Sequence, residues 1–255
     1  MSENREKRSM LAERLDRVAP DRTTLFSAGV LKWLGFVCVC MNTFSVSVLQ
    51  QITAKMSAAG REVTVVAALS VTLAMLATLA IPVYAKLLAE GWYHTSNVRR
   101  YLLRLVGVAL LAECPYDLSV KGVWVDMEEQ NPVWGLVLAL LVLMIFRWMA
   151  ERKQAGILPL GILAILAACG WATMLQINTG VLLILLTVSF VLMREHRYIS
   201  LVVGALLSLI QFPSPLGMLF VHCYGGQPVK QPKWLFYLLY PAQLLLFGCV
   251  AALIG

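Results

Sequence analysis

Chemistry-bearing side chains are scarce in this chain and gather in a few places. The densest group runs Glu90-Gly91-Trp92-Tyr93-His94-Thr95, then Arg99-Arg100-Tyr101, then Arg104. Cations beside aromatic rings suit a nucleotide, because guanidinium groups take phosphate oxygens and a ring offers adenine a face to stack on. Coenzyme A carries both features. The same residues also describe an ordinary basic turn with an aromatic belt at a membrane interface, and composition leaves both readings standing. Lys86, Arg104 and Glu113 are the ionisable groups embedded in apolar runs, where a charge is expensive and needs a reason. Lys86 lies near enough to the end of its run to snorkel. Arg104 is either a helix anchor or an anion ligand. Glu113 lies deeper, in Ala112-Glu113-Cys114-Pro115-Tyr116-Asp117, and is either a protonated or paired structural carboxyl or a site residue. Of the three histidines (His94, His196 and His222), His94 sits in the dense group and is the natural proton acceptor to examine.

These residues must be positioned by membrane helices. The chain is 60% hydrophobic with a mean hydropathy of +0.76, more apolar surface than a soluble fold of this size can bury. Apolar runs are read at about 31–50, 64–89, 101–118, 133–149, 157–175, 178–193 and 199–212, then a short piece at 215–224 and a last run at 234–254. Pro213 and Pro215 separate the seventh run from the short piece, so eight and nine spans both stand. The expected fold is all-α, a polytopic transmembrane helical bundle with its amino terminus in the cytoplasm. Basic residues choose that orientation. Arg99, Arg100, Arg104, Arg147, Arg152, Lys153, Arg194, Arg197, Lys230 and Lys233 then fall inside, and Lys55, Arg61 and Lys121 outside. The net charge of +7 is thus explained by topology, and nucleic-acid binding is not expected.

Residues 1–30 alternate in charge and are expected to form a cytoplasmic leader rather than a signal peptide. Leu11, Leu15 and Val18 have helical spacing, so the leader is either an interfacial helix or a solvated segment. The six cysteines lie in or beside apolar runs without any CxxC. Cys38 and Cys40 project about 200° apart on a helix and cannot share a metal. Neither a disulfide framework nor a metal site is expected.

Three blocks carry a family resemblance. Residues Ala89 to Thr95, then Tyr101-Leu102-Leu103-Arg104-Leu105, then Glu113 to Leu118, are similar in order and spacing to the central signature of the TraX family. Leu31-Lys32 and the stretch Trp234-Leu235-Phe236-Tyr237-Leu238-Leu239-Tyr240-Pro241 resemble its two end motifs. The resemblance covers roughly residues 31–245, implying a TraX-like transmembrane domain at 31–255. The 132–212 stretch matches mainly by hydrophobicity. It implies a multi-pass protein of the bacterial cytoplasmic (inner) membrane, related to acyltransferases that take acetyl from cytoplasmic acetyl-CoA, and TraX proteins are associated with acetylation of conjugative pilin. Lys32, Glu90, His94, Arg99 and Arg104 would hold or position the donor.

The departures fall where chemistry is expected. The family pattern has Asp-His at the positions of Asn42 and Thr43, which would line the transfer site but cannot act as base or acyl carrier. Its Tyr-Pro-x-His reads Tyr240-Pro241-Ala242-Gln243, and an Asp-Tyr-Gly triplet reads Asn178-Thr179-Gly180. Two readings follow from the resemblance. One is an acetyltransferase acting on a pilin-like or other protein or glycan acceptor, with Glu113 among the catalytic candidates. The other is a non-catalytic binding or partner subunit on the same scaffold. A transporter is disfavoured because no paired broken helices are evident in the sequence. If no His, Asp or Glu lies within hydrogen-bond reach beside Thr43, the enzyme reading weakens sharply, and Glu113 or His222 at that spot would revive it.

Overall fold

The computed structural model describes residues 26–151, 157–226 and 234–255. The proposed leader helix and the residues Arg152, Lys153, Lys230 and Lys233 lie outside the described residues.

Ser27 starts the first helix by accepting the Val30 N–H on its hydroxyl. α1 (Ala28–Thr43) passes directly into a π-helical turn, Phe44–Leu49, and on into α2 (Gln50–Ala58). α3 (Thr64–Ala77) and α4 (Ala80–His94) are one long rod interrupted by a turn at Thr78–Leu79. Asn97 caps α5 (Val98–Lys121) through the Arg100 N–H at 3.0 Å, and Gly122 closes it in the left-handed conformation at φ 72°. The remaining long elements are α6 (Val133–Glu151), α7 (Ile157–Met174), α8 (Gly180–Leu192) and α11 (Leu235–Ile254). Between α8 and α11 lie α9 (Arg197–Ser208), two 3₁₀ turns and α10 (Gly217–His222).

The described residues are helical, with a single isolated bridge between Phe26 and Tyr224. Four helical stretches are long and apolar enough to cross a membrane: Ala28–Ala58, Thr64–His94, Val133–Glu151 and Leu235–Ile254. Shorter apolar helices accompany them. The core centres on α8, whose Ile184 and Val188 pack with Leu140, Leu143 and Ala168, while Leu183, Leu186 and Phe190 pack with Ile81, Ala85 and Met218. Exposed leucines, valines and tryptophans coat the outside, as a lipid-facing surface requires.

Two opposite ends organise the bundle. One carries Glu90, and the other carries the 122–132 loop with Asp126. The described chain runs between them along α1–α2, α3–α4, α5, α6, α7, α8 and α11. The 199–212 run, read from hydropathy as a span, and the short 215–224 piece, left open between crossing and not, lie side by side. Arg197 donates to the His222 carbonyl, so α9 and α10 form a hairpin that enters and leaves at the Glu90 end. Twelve helical residues reach only about 18 Å, short of a roughly 30 Å hydrocarbon core. Pro213 and Pro215 then turn the chain back. The turn seats Gly217 against the interruption of α3–α4, where an added Cβ would lie 2.5 Å from the Leu79 carbonyl oxygen. The bundle thus contains an interrupted rod and a re-entrant hairpin, discontinuities that hydropathy conceals.

Candidate functional site

At the Glu90 end the dense polar group is assembled largely by α4. Glu90 accepts Lys86 at 2.8 Å and faces His94 Nε2 at 3.5 Å, each one helical turn away. Lys86 also lies 5.8 Å from the centre of the Phe190 ring, so it is paired inside the bundle rather than extended to the interface. The Tyr93 hydroxyl donates to the Val191 carbonyl at 3.0 Å, and the Arg194 guanidinium covers its ring at 3.8 Å. Tyr101 packs over Gly91 so closely that its hydroxyl would sit 2.7 Å from an added Cβ. Lys32 approaches this end from α1, 5.9 Å from the Phe236 ring of α11. Arg99, Arg100 and Arg104 are exposed and, among the described residues, carry no ion pair. Positive charge is therefore available for an anion here, while the Glu90 carboxylate is already occupied.

Toward the other end α5 and the 122–132 loop carry three neighbouring groups of hydrogen-bonded polar side chains. Glu113 lies eight residues before Lys121, about 12 Å of helix inside the bundle. Its Oε2 accepts the Trp134 indole N–H at 2.9 Å and the Asn131 amide, which also donates to the Ala109 carbonyl at 2.9 Å. Its Oε1 is buried and has no hydrogen-bond partner among the described residues. Tyr116 and Asn178 both donate to Glu129, each at 2.9 Å. Asp117, only 2% exposed, accepts the Asp126 N–H at 2.8 Å through one oxygen and leaves the other unpartnered. Outside the spans Lys121 pairs with Asp126 and Glu128. Hydrogen bonding to Lys121 holds the Asp126 carboxyl below its ordinary range, and hydrogen bonding to Asp126 raises the Lys121 ammonium.

Between these regions lies the position of the expected dyad, and its two residues part company. Thr43 is 3% exposed and donates to the Val39 carbonyl of its own helix at 3.1 Å. Ser47 in turn donates to the Thr43 carbonyl. Asn42 continues the stripe Leu31, Gly35, Cys38, spaced four, three and four residues apart on one helical face. Those three are buried, yet Asn42 is exposed, so the packed face of α1 opens at mid-length. Tyr84 enters beside that stripe against Gly35, where an added Cβ would meet its ring at 3.3 Å. Tyr240 of α11 packs against the buried cluster of Ala112, Tyr116 and Leu244.

A model of the TraX protein matches residues 27–251. The chain belongs to the TraX family. A curated relative, the probable fimbrial assembly protein FimC of serogroup H1 from Dichelobacter nodosus, is 26% identical over 196 residues. That match covers 66% of this chain and 78% of the relative. No solved structure matches the chain significantly.

Set against the residues read from sequence, this TraX chain brings Glu90 and His94 together and leaves Arg99 and Arg104 exposed nearby. It does not join Glu113 or His222 to Thr43. Glu113 is bonded from the α6 side, and His222 lies at the Glu90 end of the hairpin. Sequence reasoning does not single out Tyr84, Asn131 or Trp134. Asn131 has a readable signal: an Asn-Pro pair just ahead of an apolar run marks a helix start, and its Oδ1 accepts the Val133 N–H at 3.0 Å. A wide apolar groove of about 570 Å³ runs along α1, lined by Trp33, Leu34, Val37, Cys38 and Phe220 among others. It touches none of the ionisable candidates and reads as lipid-facing surface.

Proposed function

We propose that this TraX protein is an integral membrane acetyltransferase, taking acetyl from cytoplasmic acetyl-CoA at the Glu90 end. Transfer occurs inside the bundle to a pilin-like or other membrane-borne protein or glycan acceptor. The name of the fimbrial relative supports a role in a pilus system. The orientation rests on the basic residues, whose bias toward the Glu90 end supports a cytoplasmic side there and a bacterial inner-membrane protein. Exposed Arg99 and Arg104, with Lys32, would take donor phosphates. Glu90 would act by holding Lys86 and His94 in place.

The observation that carries the reading is Glu113, a carboxylate with one oxygen held by two donors and the other buried and free. In transfer, the acceptor's N–H or O–H gives its proton to that oxygen as the nucleophile attacks the thioester carbonyl. The carbon–sulfur bond then breaks, and the leaving thiolate takes a proton to give coenzyme A. Glu113 thereby supplies the titratable group that Asn42 and Thr43 cannot.

The non-catalytic reading has its own support in the neutral pair at 42–43 and in Thr43, which bonds only its own helix. Mass-resolved transfer of labelled acetyl from acetyl-CoA in membranes containing this chain separates the two. Activity that is lost in Glu113→Gln establishes the enzyme. Silence in the native chain with activity in Asn42→Asp/Thr43→His identifies a disabled enzyme on an intact scaffold.

A further inference from the structure

Gln243 presents a second unfilled demand inside the bundle. It is 6% exposed, and among the described residues neither its amide nitrogen nor its carbonyl oxygen has a hydrogen-bond partner. A carboxamide offers two donors and two acceptor sites, so leaving both of its ends unmet in an apolar core is strongly unfavourable. Its place is set by two aromatic contacts along the seam between α1 and α11. Phe236, seven residues earlier, meets Trp33 and Phe36 at ring separations of 5.2 and 6.2 Å. Phe247, four residues later, meets Phe44 at 5.8 Å. The two helices therefore run side by side in the same direction. Gln243 lies between the aromatic contacts, at the level of the α1 turn that carries Cys40 and Thr43. Lys32 stands at the foot of the same seam, over Phe236.

We infer that the α1–α11 seam receives the pantetheine arm of the donor and that Gln243 is the positioning residue that hydrogen-bonds an amide of that arm. This rests on the acetyl-CoA reading above and adds where the arm runs. The arm is the thin part of the donor, with amide groups along an otherwise aliphatic chain. A lone buried carboxamide is the natural complement to such a group, offering an N–H to its carbonyl and a carbonyl to its N–H. The dimensions agree. From Phe236 to Gln243 is seven helical residues, about 10 Å, within the reach of an arm whose phosphates are held by Lys32 and Arg104. The seam also leads the thioester toward the opening at Asn42 and toward Tyr240, which lies about one turn from Gln243 and packs against Ala112 and Tyr116 of the helix that carries Glu113.

The test is binding by the purified full chain in detergent, using coenzyme A, pantetheine and adenosine 3′,5′-bisphosphate as separate probes. In Gln243→Leu, coenzyme A and pantetheine should each bind about tenfold more weakly, with the nucleotide fragment unchanged, as expected for one lost hydrogen bond to a buried partner. Retained nucleotide binding doubles as evidence that the variant is folded. If it is lost too, Gln243→Met, which keeps the side-chain length, is measured in its place. Native-like pantetheine and coenzyme A binding in a folded variant overturns the seam assignment and leaves the acetyltransferase reading standing. Failure of the native chain to bind coenzyme A or the nucleotide fragment overturns the donor reading itself, and the seam with it.

Discussion

The Glu90 and Asp126 ends both carry blocks of the TraX signature, yet they are built on opposite electrostatic plans. At the Glu90 end the carboxylate held within the bundle is satisfied by Lys86 and His94, and the surplus is cationic and exposed in Arg99, Arg100 and Arg104. Toward the other end the carboxylates Glu113, Asp117, Asp126, Glu128 and Glu129 gather on and beside α5, where Lys121 pairs with Asp126 and Glu128. Glu113 and Glu129 are held by neutral donors from Tyr116, Trp134, Asn131 and Asn178, while one oxygen each of Glu113 and Asp117 has no hydrogen-bond partner among the described residues. Charge left exposed is available to a ligand arriving from water. Charge built into a dry network is fixed in place, and its spare oxygens are available to a reaction. The first arrangement suits capture of a polyanionic donor, the second the removal of a proton.

The sharpest way to break this contrast is at Glu113. Glu113→Gln keeps an oxygen for the Trp134 and Asn131 donors, so the fold should survive while labelled-acetyl transfer falls about a hundred- to ten-thousand-fold. Equal activity in native and variant chains would show that the network is structural only. Gly217→Ala attacks the hairpin of the Glu90 end instead. Its Cβ would meet the backbone carbonyl of Leu79, which cannot swing aside as a side chain can. Overpacking of this kind costs about 1–3 kcal/mol, read as a Tm lower by several degrees in detergent. An unchanged Tm would mean that the hairpin does not seat on the α3–α4 interruption. Arg104→Ala should raise the KM for acetyl-CoA about tenfold with kcat retained, the mark of an interaction made equally in ground and transition states. A fall in kcat alone would place Arg104 in the chemistry and erase the division of labour between the ends.

How legible these features were depended on whether they are sequence-local. The helical class, the membrane character and the signature blocks follow from long apolar runs and short motifs. The pairing of Lys86 with Glu90 and His94 is also local, since all three lie one turn apart on α4. The re-entrant hairpin was hidden because an apolar 12-residue helix has the same hydropathy whether it crosses a membrane or turns back. The contact between Arg197 and the His222 carbonyl, with Met218 packed against Gly204, reveals the return. The opening at Asn42 was equally hidden. Residues 31, 35, 38 and 42 share one helical face, buried at the first three positions and exposed at Asn42, a difference that local spacing does not carry. Glu113 could be singled out as a costly buried charge. Its partners Asn131 and Trp134 lie 18 and 21 residues away, beyond any local pattern.

The smallest expected effect concerns the rim of the acidic region, where the loop pair should respond to pH with a definite sign. Lys121 holds Asp126 below its ordinary range, so the stabilisation from that carboxylate is present above the unfolded value near 4 and disappears as pH falls through its lowered folded value. The Lys121 ammonium is raised, so its share is complete below the unfolded value near 10.4 and is lost as pH rises through the higher folded value. The pair therefore acts as a constant across the physiological range, and Lys121→Met should lower Tm by nearly the same small amount at pH 6 and pH 8. Both groups are partly exposed at the loop surface, so added salt should shrink the difference further. A Lys121→Met penalty that grew steeply between pH 6 and pH 8 would require Lys121 to bear on the buried Glu113 and Asp117 rather than on Asp126. The rim and the interior of the acidic region would then be a single titrating unit, and the separation between a solvated loop and a dry proton-accepting core would fail.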